Sequence, residues 1–333
     1  MKRFSSDYYL YYLINISLVI IFLFPIYWTI ISSLKTPPEL ISKQQTFYPH
    51  TITFEYYERI LTYGFKDVDE SENVTLEDGL LSAGNIFIAF KNSFIVTIGT
   101  IILSLIVSTL GGYAFTFYKF KFKEYFFIFL LLPILIPSIS LIIPIYILLK
   151  NLNLLDTYTA LIFLHSMSMV PLGIFMMRNA FSSIPKSLRE VAILEGSNDF
   201  KILLTVLMPL AIPGILTVTV FAMYVSWNDF ILAFLFISSE DMKMLNVALK
   251  HIATGANQWE MKWGDLTAGS VVSFIPLIIF YAFSKKIINK DFFIISLLWI
   301  LGSMLIDGFF RSHPSGPFSG SLSIIGLWIL SVS

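Results

Sequence analysis

The chain has 333 residues, is 56% hydrophobic and 13% charged, and its mean hydropathy is +0.78. Soluble domains carry about a quarter charged residues, so this composition identifies a polytopic membrane protein. A formal net charge of zero argues against nucleic acid as a partner, and the lack of cysteine excludes disulfides, thiolate metal sites and cysteine nucleophiles.

A helix crosses a hydrocarbon core of about 30 Å with roughly 20 mainly apolar residues. Six runs meet that length before residue 290, near 11–34, 86–117, 125–149, 158–178, 206–237 and 267–285. The predicted fold is an all-α polytopic membrane protein. The first run, apolar from Tyr8 to Leu34, is too long for the core of a signal peptide and is not followed by a small-residue cleavage site. It reads as an uncleaved anchor. The segment 35–85 begins with a Thr36-Pro37-Pro38 stop and is acidic from Lys66 to Gly79. Its Asp67-Val68-Asp69 has the form of a metal-nucleotide site of the glycosyltransferase kind, but a lone D-x-D reads first as a solvated acidic loop. Asn73-Val74-Thr75 is a formal glycosylation sequon.

Lysine and arginine set the predicted orientation. Lys2, Arg3, Lys119, Lys121, Lys123, Arg178, Lys186, Arg189, Lys201, Lys285, Lys286 and Lys290 all fall in alternate connections. With the N-terminus in the cytoplasm they share the cytoplasmic side, and segments 35–85, 150–157 and 238–266 lie outside.

Between the fourth and fifth runs, residues 185–213 differ from their surroundings. Leu188, Val191, Ala192 and Glu195 recur at helical spacing and predict a helix of about two turns with one small apolar face. So short a helix is marginal alone in water, so it needs a partner surface. Ser187 is a candidate cap at its start, and Gly196 stands where a residue of positive φ would close it. Ser197, Asn198 and Asp199 are candidate caps for a second helix, running through Phe200, Leu203, Leu204 and Leu207 into the fifth run. Pro209 and Pro213 predict a bend there. The plain alternative is an ordinary loop with a helix lying on the membrane.

After the sixth run, Lys285-Lys286-Ile287-Ile288-Asn289-Lys290 begins a tail. The stretch Asp291–Phe310 is apolar and long enough to span, and a turn-rich segment, His313–Gly320, follows. This reads as an added hydrophobic segment; a shift of reading frame is the other possibility.

The loop resembles the "EAA" loop of importer permease subunits of the ATP-binding cassette superfamily. That pattern is Glu-Ala-Ala, three residues, Gly, nine residues, then Ile-x-Leu-Pro. Glu190-Val191-Ala192, Gly196 and Val206-Leu207-Met208-Pro209 match it in order and spacing, with valine for the central alanine, valine for isoleucine and methionine for leucine. Phe24-Pro25-Ile26-Tyr27-Trp28 with Ser33-Leu34-Lys35, Asn92-Ser93-Phe94, Leu132-Pro133 with Ile136-Pro137, Leu154-Leu155-Asp156-Thr157-Tyr158 and Trp227-Asn228-Asp229-Phe230 are similar to the smaller permease of maltose-type carbohydrate importers. The resemblance covers roughly residues 8–287 and implies a six-helix type I permease core. Its domains would be an anchor and outer loop over 1–85, a permease core over 86–287 with the EAA loop at 185–213, and an atypical tail over 288–333.

The resemblance also implies one half of a permease heterodimer in the cell membrane. Two ATPase subunits would sit below and an extracytoplasmic solute-binding protein above. ATP would be used by the partners, with no cofactor or metal bound by this chain and no catalysis by it. Glu190, Val191, Ala192, Glu195, Gly196, Phe200 and Pro209 become the candidate coupling residues. Glu190 would pair with a basic residue of the ATPase, and Ala192 and Gly196 would permit close approach.

Polar groups within apolar runs are expensive and read by default as functional. Asn228 and Asp229 are therefore pathway candidates, set against a role at the interface or in holding a neighbouring helix; Asn92 and Tyr113 are weaker ones. His165 has no second ligand at metal spacing and reads as a packing or hydrogen-bonding residue. Two other classes remain in view. A polytopic membrane enzyme needs a carboxylate or metal constellation, and only Asp67 and Asp69 approach one. A secondary transporter should show inverted repeats and mid-membrane charges. No G-x-x-x-x-G-K phosphate loop occurs, so ATP hydrolysis by this chain is not expected.

Overall fold

A computed structural model describes residues 6–62, 86–254 and 262–285. In chain order its helices are α1 (Ser6–Ser32), α2 (Pro37–Ile41), α3 (Glu55–Thr62), α4 (Ile86–Phe117), α5 (Lys123–Leu131), α6 (Ile142–Asn151) and α7 (Tyr158–Ser182). Then come α8 (Lys186–Leu194), α9 (Asp199–Ile202), α10 (Met208–Leu210), α11 (Ile212–Trp227), α12 (Ile231–Phe236), α13 (Leu245–Thr254) and α14 (Trp263–Lys285). No strand occurs among the described residues. The acidic Asp67 and Asp69, the Asn73 sequon and the tail from 288 lie outside them.

Among the described residues, four helices are long and apolar enough to cross a membrane, or up to six if each of two bent helix pairs is one span. The number agrees with the sequence, but the third and fifth runs are not continuous. In the third, Lys123–Leu135 and Ser138–Asn151 meet at 92°. Pro137 is the cause: a proline drives the residue before it out of the helical region, and Ile136 sits at φ −85°, ψ 123°. In the fifth, the expected span over 206–237 becomes α11, a non-helical corner at residues 228–230 and the short α12. Asp199–Leu210 meets α11 at 83°.

Contacts group the described residues into two compact units, 86–248 on the one hand and 6–62 with 249–254 and 262–285 on the other. In the smaller unit, α14 packs with α1, α2 and α3. In that smaller unit, Lys35 is fully buried just beyond α1. Its ammonium donates to the Thr46 carbonyl at 2.5 Å and lies 4.6 Å from the centre of the Trp28 ring. Burying such a charge needs both partners. Asp265, in the first turn of α14, is buried and pairs with Arg59 of α3 at 3.2 Å. Apolar Leu13, Ile16, Ile20 and Ile21 on α1 face outward, as a lipid-facing helix requires.

The larger unit is built on α4 and α7, which pack along one another, with α11 laid against both. In lipid there is no hydrophobic force between apolar helices, so association rests on close van der Waals contact through small residues. A Cβ on Gly112 of α4 would stand 2.5 Å from the Met177 Cβ and 2.9 Å from the Arg178 nitrogen. A Cβ on Gly173 of α7 would reach the Ser108 hydroxyl at 2.1 Å. At one end of the unit, Asp156 (φ 58°) accepts bonds from the Ser238 and Ser239 amides at 2.8 and 3.0 Å and from the Ser239 hydroxyl. The Ser239 bonds hold its carboxyl below the ordinary carboxylate range.

Gly112→Ala should force α4 and α7 apart, because its Cβ meets backbone that cannot swing away. The expected loss is about 1–3 kcal/mol, seen as a lower thermal midpoint of the purified protein in detergent; an unchanged midpoint would contradict the close packing.

Candidate functional site

The loop between the two halves of the larger unit's helices begins at Pro185, whose carbonyl accepts from the Leu188 amide at 3.2 Å. Ser187, expected as the cap, instead lies inside α8, and no side chain caps this start. The other end follows the sequence closely. Gly196 has φ 81°, the Gly196 amide donates to Ile193 and the Ser197 amide to Ala192, at 2.9 and 3.1 Å. Those bonds satisfy carbonyls that the helix end leaves open. Asn198 then caps α9 by accepting from the Lys201 amide at 2.8 Å.

The two faces of α8 have different surroundings. Ala192 is 7% exposed and packs with Tyr113, Phe181, Ile184, Ile202, Leu203 and Leu207 in the unit's own core. This corrects the sequence reading, which put Ala192 on one apolar face with Leu188 and Val191. Successive helical residues are about 100° apart, and that rotation turns Ala192 inward while Val191 points out. Leu188, Val191, Leu194, Phe200 and Leu204 are all exposed, Leu194 by 87%. Glu190, Glu195, Lys186, Lys201 and Pro209 are exposed on the same segment. Apolar surface bordered by charge marks an interaction site.

A polar cluster, not visible in the sequence, ties the loop together. The Arg189 guanidinium is 2.7 Å from Asp199 Oδ1, and the Tyr113 hydroxyl donates to the same oxygen at 2.8 Å. Tyr118 donates to Oδ2 at 2.5 Å, and Arg189 Nε to the Tyr113 oxygen at 3.3 Å. Tyr113 lies on α4 and Tyr118 just beyond it, so both helices of the loop are joined to the end of the second span. The only sequence signal was a pair of opposite charges ten residues apart across a glycine turn.

After α9 the helix widens into a π turn over Leu203–Leu207. Pro209 lacks the amide a normal turn would use and crowds the carbonyl four residues back, which a wider turn relieves. Ala211 then breaks the helix at φ −90°, ψ 10°.

The four pathway candidates occupy other places. Tyr113 belongs to the loop cluster. Asn92 is buried, donates to the carbonyls of Asp241 and Lys243 at 2.8 and 3.0 Å, and accepts from the Tyr158 hydroxyl at 2.8 Å. Asn228 donates to the Tyr224 carbonyl at 3.1 Å. Asp229 lies in the non-helical corner and not within a continuous span, where it caps α12 through the Leu232 and Ala233 amides at 3.2 and 2.8 Å. His165 is buried with its Nε2 3.8 Å from Asp229 Oδ2, a neighbour supplied by the corner after α11. Among the described residues, no three His, Asp or Glu side chains are placed to hold a metal ion.

Nothing lies within 4 Å of a Cβ built on Gly196, so the demand on this residue is conformational. Gly196→Ala should cost about 1 kcal/mol and speed hydrogen exchange at the Ser197 amide. Gly196→Asn should exchange more slowly than the alanine variant because asparagine tolerates the left-handed region. Equal exchange in the two would contradict this account.

Residues 101–294 match the family described as binding-protein-dependent transport system inner membrane component. A probable ABC transporter permease protein of Pyrococcus horikoshii is 32% identical over 278 residues, covering 83% of this chain and 93% of that one. The trehalose/maltose transport system permease protein of Thermococcus litoralis is 29% identical, covering 82% and 90%. The arabinooligosaccharides transport system permease protein of Halalkalibacterium halodurans is 28% identical, covering 79% and 86%. In fold, the chain is similar to a bacterial ABC transporter involved in import of the acidic polysaccharide alginate, with a TM-score of 0.68 at 24% identity over 87% of this chain and 100% of the other. The chain therefore belongs to the family of binding-protein-dependent transport system inner membrane components, as a membrane-embedded permease subunit of an ATP-binding cassette importer.

Proposed function

We propose that this permease imports a sugar or oligosaccharide and that the loop from Pro185 to Pro213 is where an ATPase subunit acts on it. The observation that carries the coupling role is the exposed apolar surface of α8, Leu188, Val191, Ile193 and Leu194, on a helix that Ala192 anchors in the chain's own core. A helix of nine residues has little stability of its own in water. Packed on both sides, it becomes a rigid lever. Support for the cargo comes from the names of the relatives, whose transport systems are for trehalose and maltose and for arabinooligosaccharides.

In the assembly we propose, the chain pairs with a second, different permease, two ATPase subunits and an extracytoplasmic binding protein. ATP is bound and hydrolysed by the partners, and this chain supplies no catalytic group or cofactor site. The loop faces the cytoplasm, in keeping with Lys119, Lys121, Lys123, Arg178, Lys186, Arg189 and Lys201 gathered in the connections on its side. Glu190 meets a basic group of the ATPase, with Glu195 and Phe200 beside it. Ala192, Gly196 and Pro209 serve indirectly, as the inner contact, the turn and the start of the joint.

Driving a two-state permease from 1:99 to 99:1 takes about 5.5 kcal/mol of differential binding, which needs a firm contact. Glu190→Lys should abolish substrate-stimulated ATP hydrolysis in the reconstituted importer while the permease still reaches the membrane. Normal stimulation in that variant would overturn the docking role.

A further inference from the structure

We infer that Arg189, Asp199, Tyr113 and Tyr118 form a clamp that makes the loop one rigid body with α4, so that motion received at α8 passes to α4 and α7 and is absorbed on the α11 side. This rests on the reading that an ATPase subunit acts on the loop, and it names where the motion goes.

Both oxygens of Asp199 are engaged, one by Arg189 and Tyr113 and the other by Tyr118. Charge-assisted bonds of this kind are short and directional. They draw α8, through Arg189, and α9, through Asp199, onto the end of one span. The Arg189 guanidinium also lies 5.5 Å from the centre of the Phe117 ring, on the last residue of α4. Directly above, Gly112 brings α4 into backbone contact with Met177 and Arg178 of α7. Displacing the loop therefore displaces both helices.

The route to α11 is different. It passes through the π turn and the corner at Ala211, where Pro209 and Pro213 have no amide to donate and the chain turns by 83°. Covalent continuity runs from the loop into α11, yet the stiff path runs across the clamp into α4. The four clamp residues are positioning residues, since none of them is among the outward-facing side chains assigned to the ATPase.

Distance measurements between pairs of spin labels test this in the complete importer, in lipid nanodiscs with and without ATP. The chain has no cysteine, so labels go only where cysteines are introduced. One pair joins exposed Lys201 of the loop, outside the face assigned to the ATPase, to exposed Leu110 of α4, and the other joins Lys201 to exposed Ile212 of α11. The expected result is an unchanged Lys201–Leu110 distance and a shifted Lys201–Ile212 distance on adding ATP. In Asp199→Asn, ATPase subunits should remain bound while the fixed Lys201–Leu110 distance is lost. The exchange Arg189→Asp with Asp199→Arg should restore it. Tyr118→Phe, which removes a single hydroxyl, should loosen the distance in the same direction without threatening the fold.

A Lys201–Leu110 distance that changes with ATP in the parent protein would overturn the clamp, as would one that stays fixed in both Asp199→Asn and Tyr118→Phe. A failure of the exchanged pair to restore what Asp199→Asn lost would also overturn it. If ATPase subunits leave the Asp199→Asn complex, the cluster serves docking and the clamp is wrong. If ATP moves neither distance in the parent, the docking reading itself falls, and the clamp with it.

Discussion

A guanidinium 2.7 Å from a carboxylate, Arg189 against Asp199, closes a loop that has almost no means of holding its own shape. Helix α8 is too short to persist in water, and α9 is shorter still. Three local constraints act together on them. Gly196 turns the chain back at a positive φ, Ala192 anchors one face in the core, and the ion pair joins the two helices to tyrosines at the end of α4. With those in place the opposite face stands out from the molecule, apolar at its centre and charged around it. A permease that must receive force at its surface needs such an element, because a pliant loop would dissipate the motion.

The same economy governs several buried polar residues. Hydrocarbon offers no water to unpaired groups, so a buried polar side chain is costly unless it finds a partner within the protein. Asn92 bridges two backbone carbonyls, Asp229 caps α12, and Lys35 is held by a carbonyl and an indole ring. These bonds stabilise corners where helices stop and restart. Sharp corners need such fixing, since each one exposes backbone groups that a continuous helix would satisfy.

Much of the loop was legible in the sequence because its signals are local. The positive φ at Gly196, the cap at Asn198 and the bend around Pro209 and Pro213 each depend on residues only a few positions apart. The number of spans was legible for the same reason, hydropathy being a property of a short window. The unreadable parts depended on distant chain. Nothing near Asp229 announced His165 from α7, and nothing near Tyr113 announced a carboxylate 86 residues away. A polar residue in an apolar run looks the same whether it meets cargo or a backbone amide. Ala192 was misplaced by one position of helical rotation, since spacing alone does not say which face of a helix meets its own protein.

On this account the outward face of α8 is the contact between permease and ATPase, and everything inward of it serves to hold that face still. The most direct measurement attaches a photo-crosslinker to a single introduced cysteine in the assembled importer. From Leu194→Cys, at the 87% exposed end of the helix, illumination should capture an ATPase subunit. From Met167→Cys, 68% exposed on α7 but within a span, it should not. No capture from Leu194, or equal capture from both positions, would contradict the account.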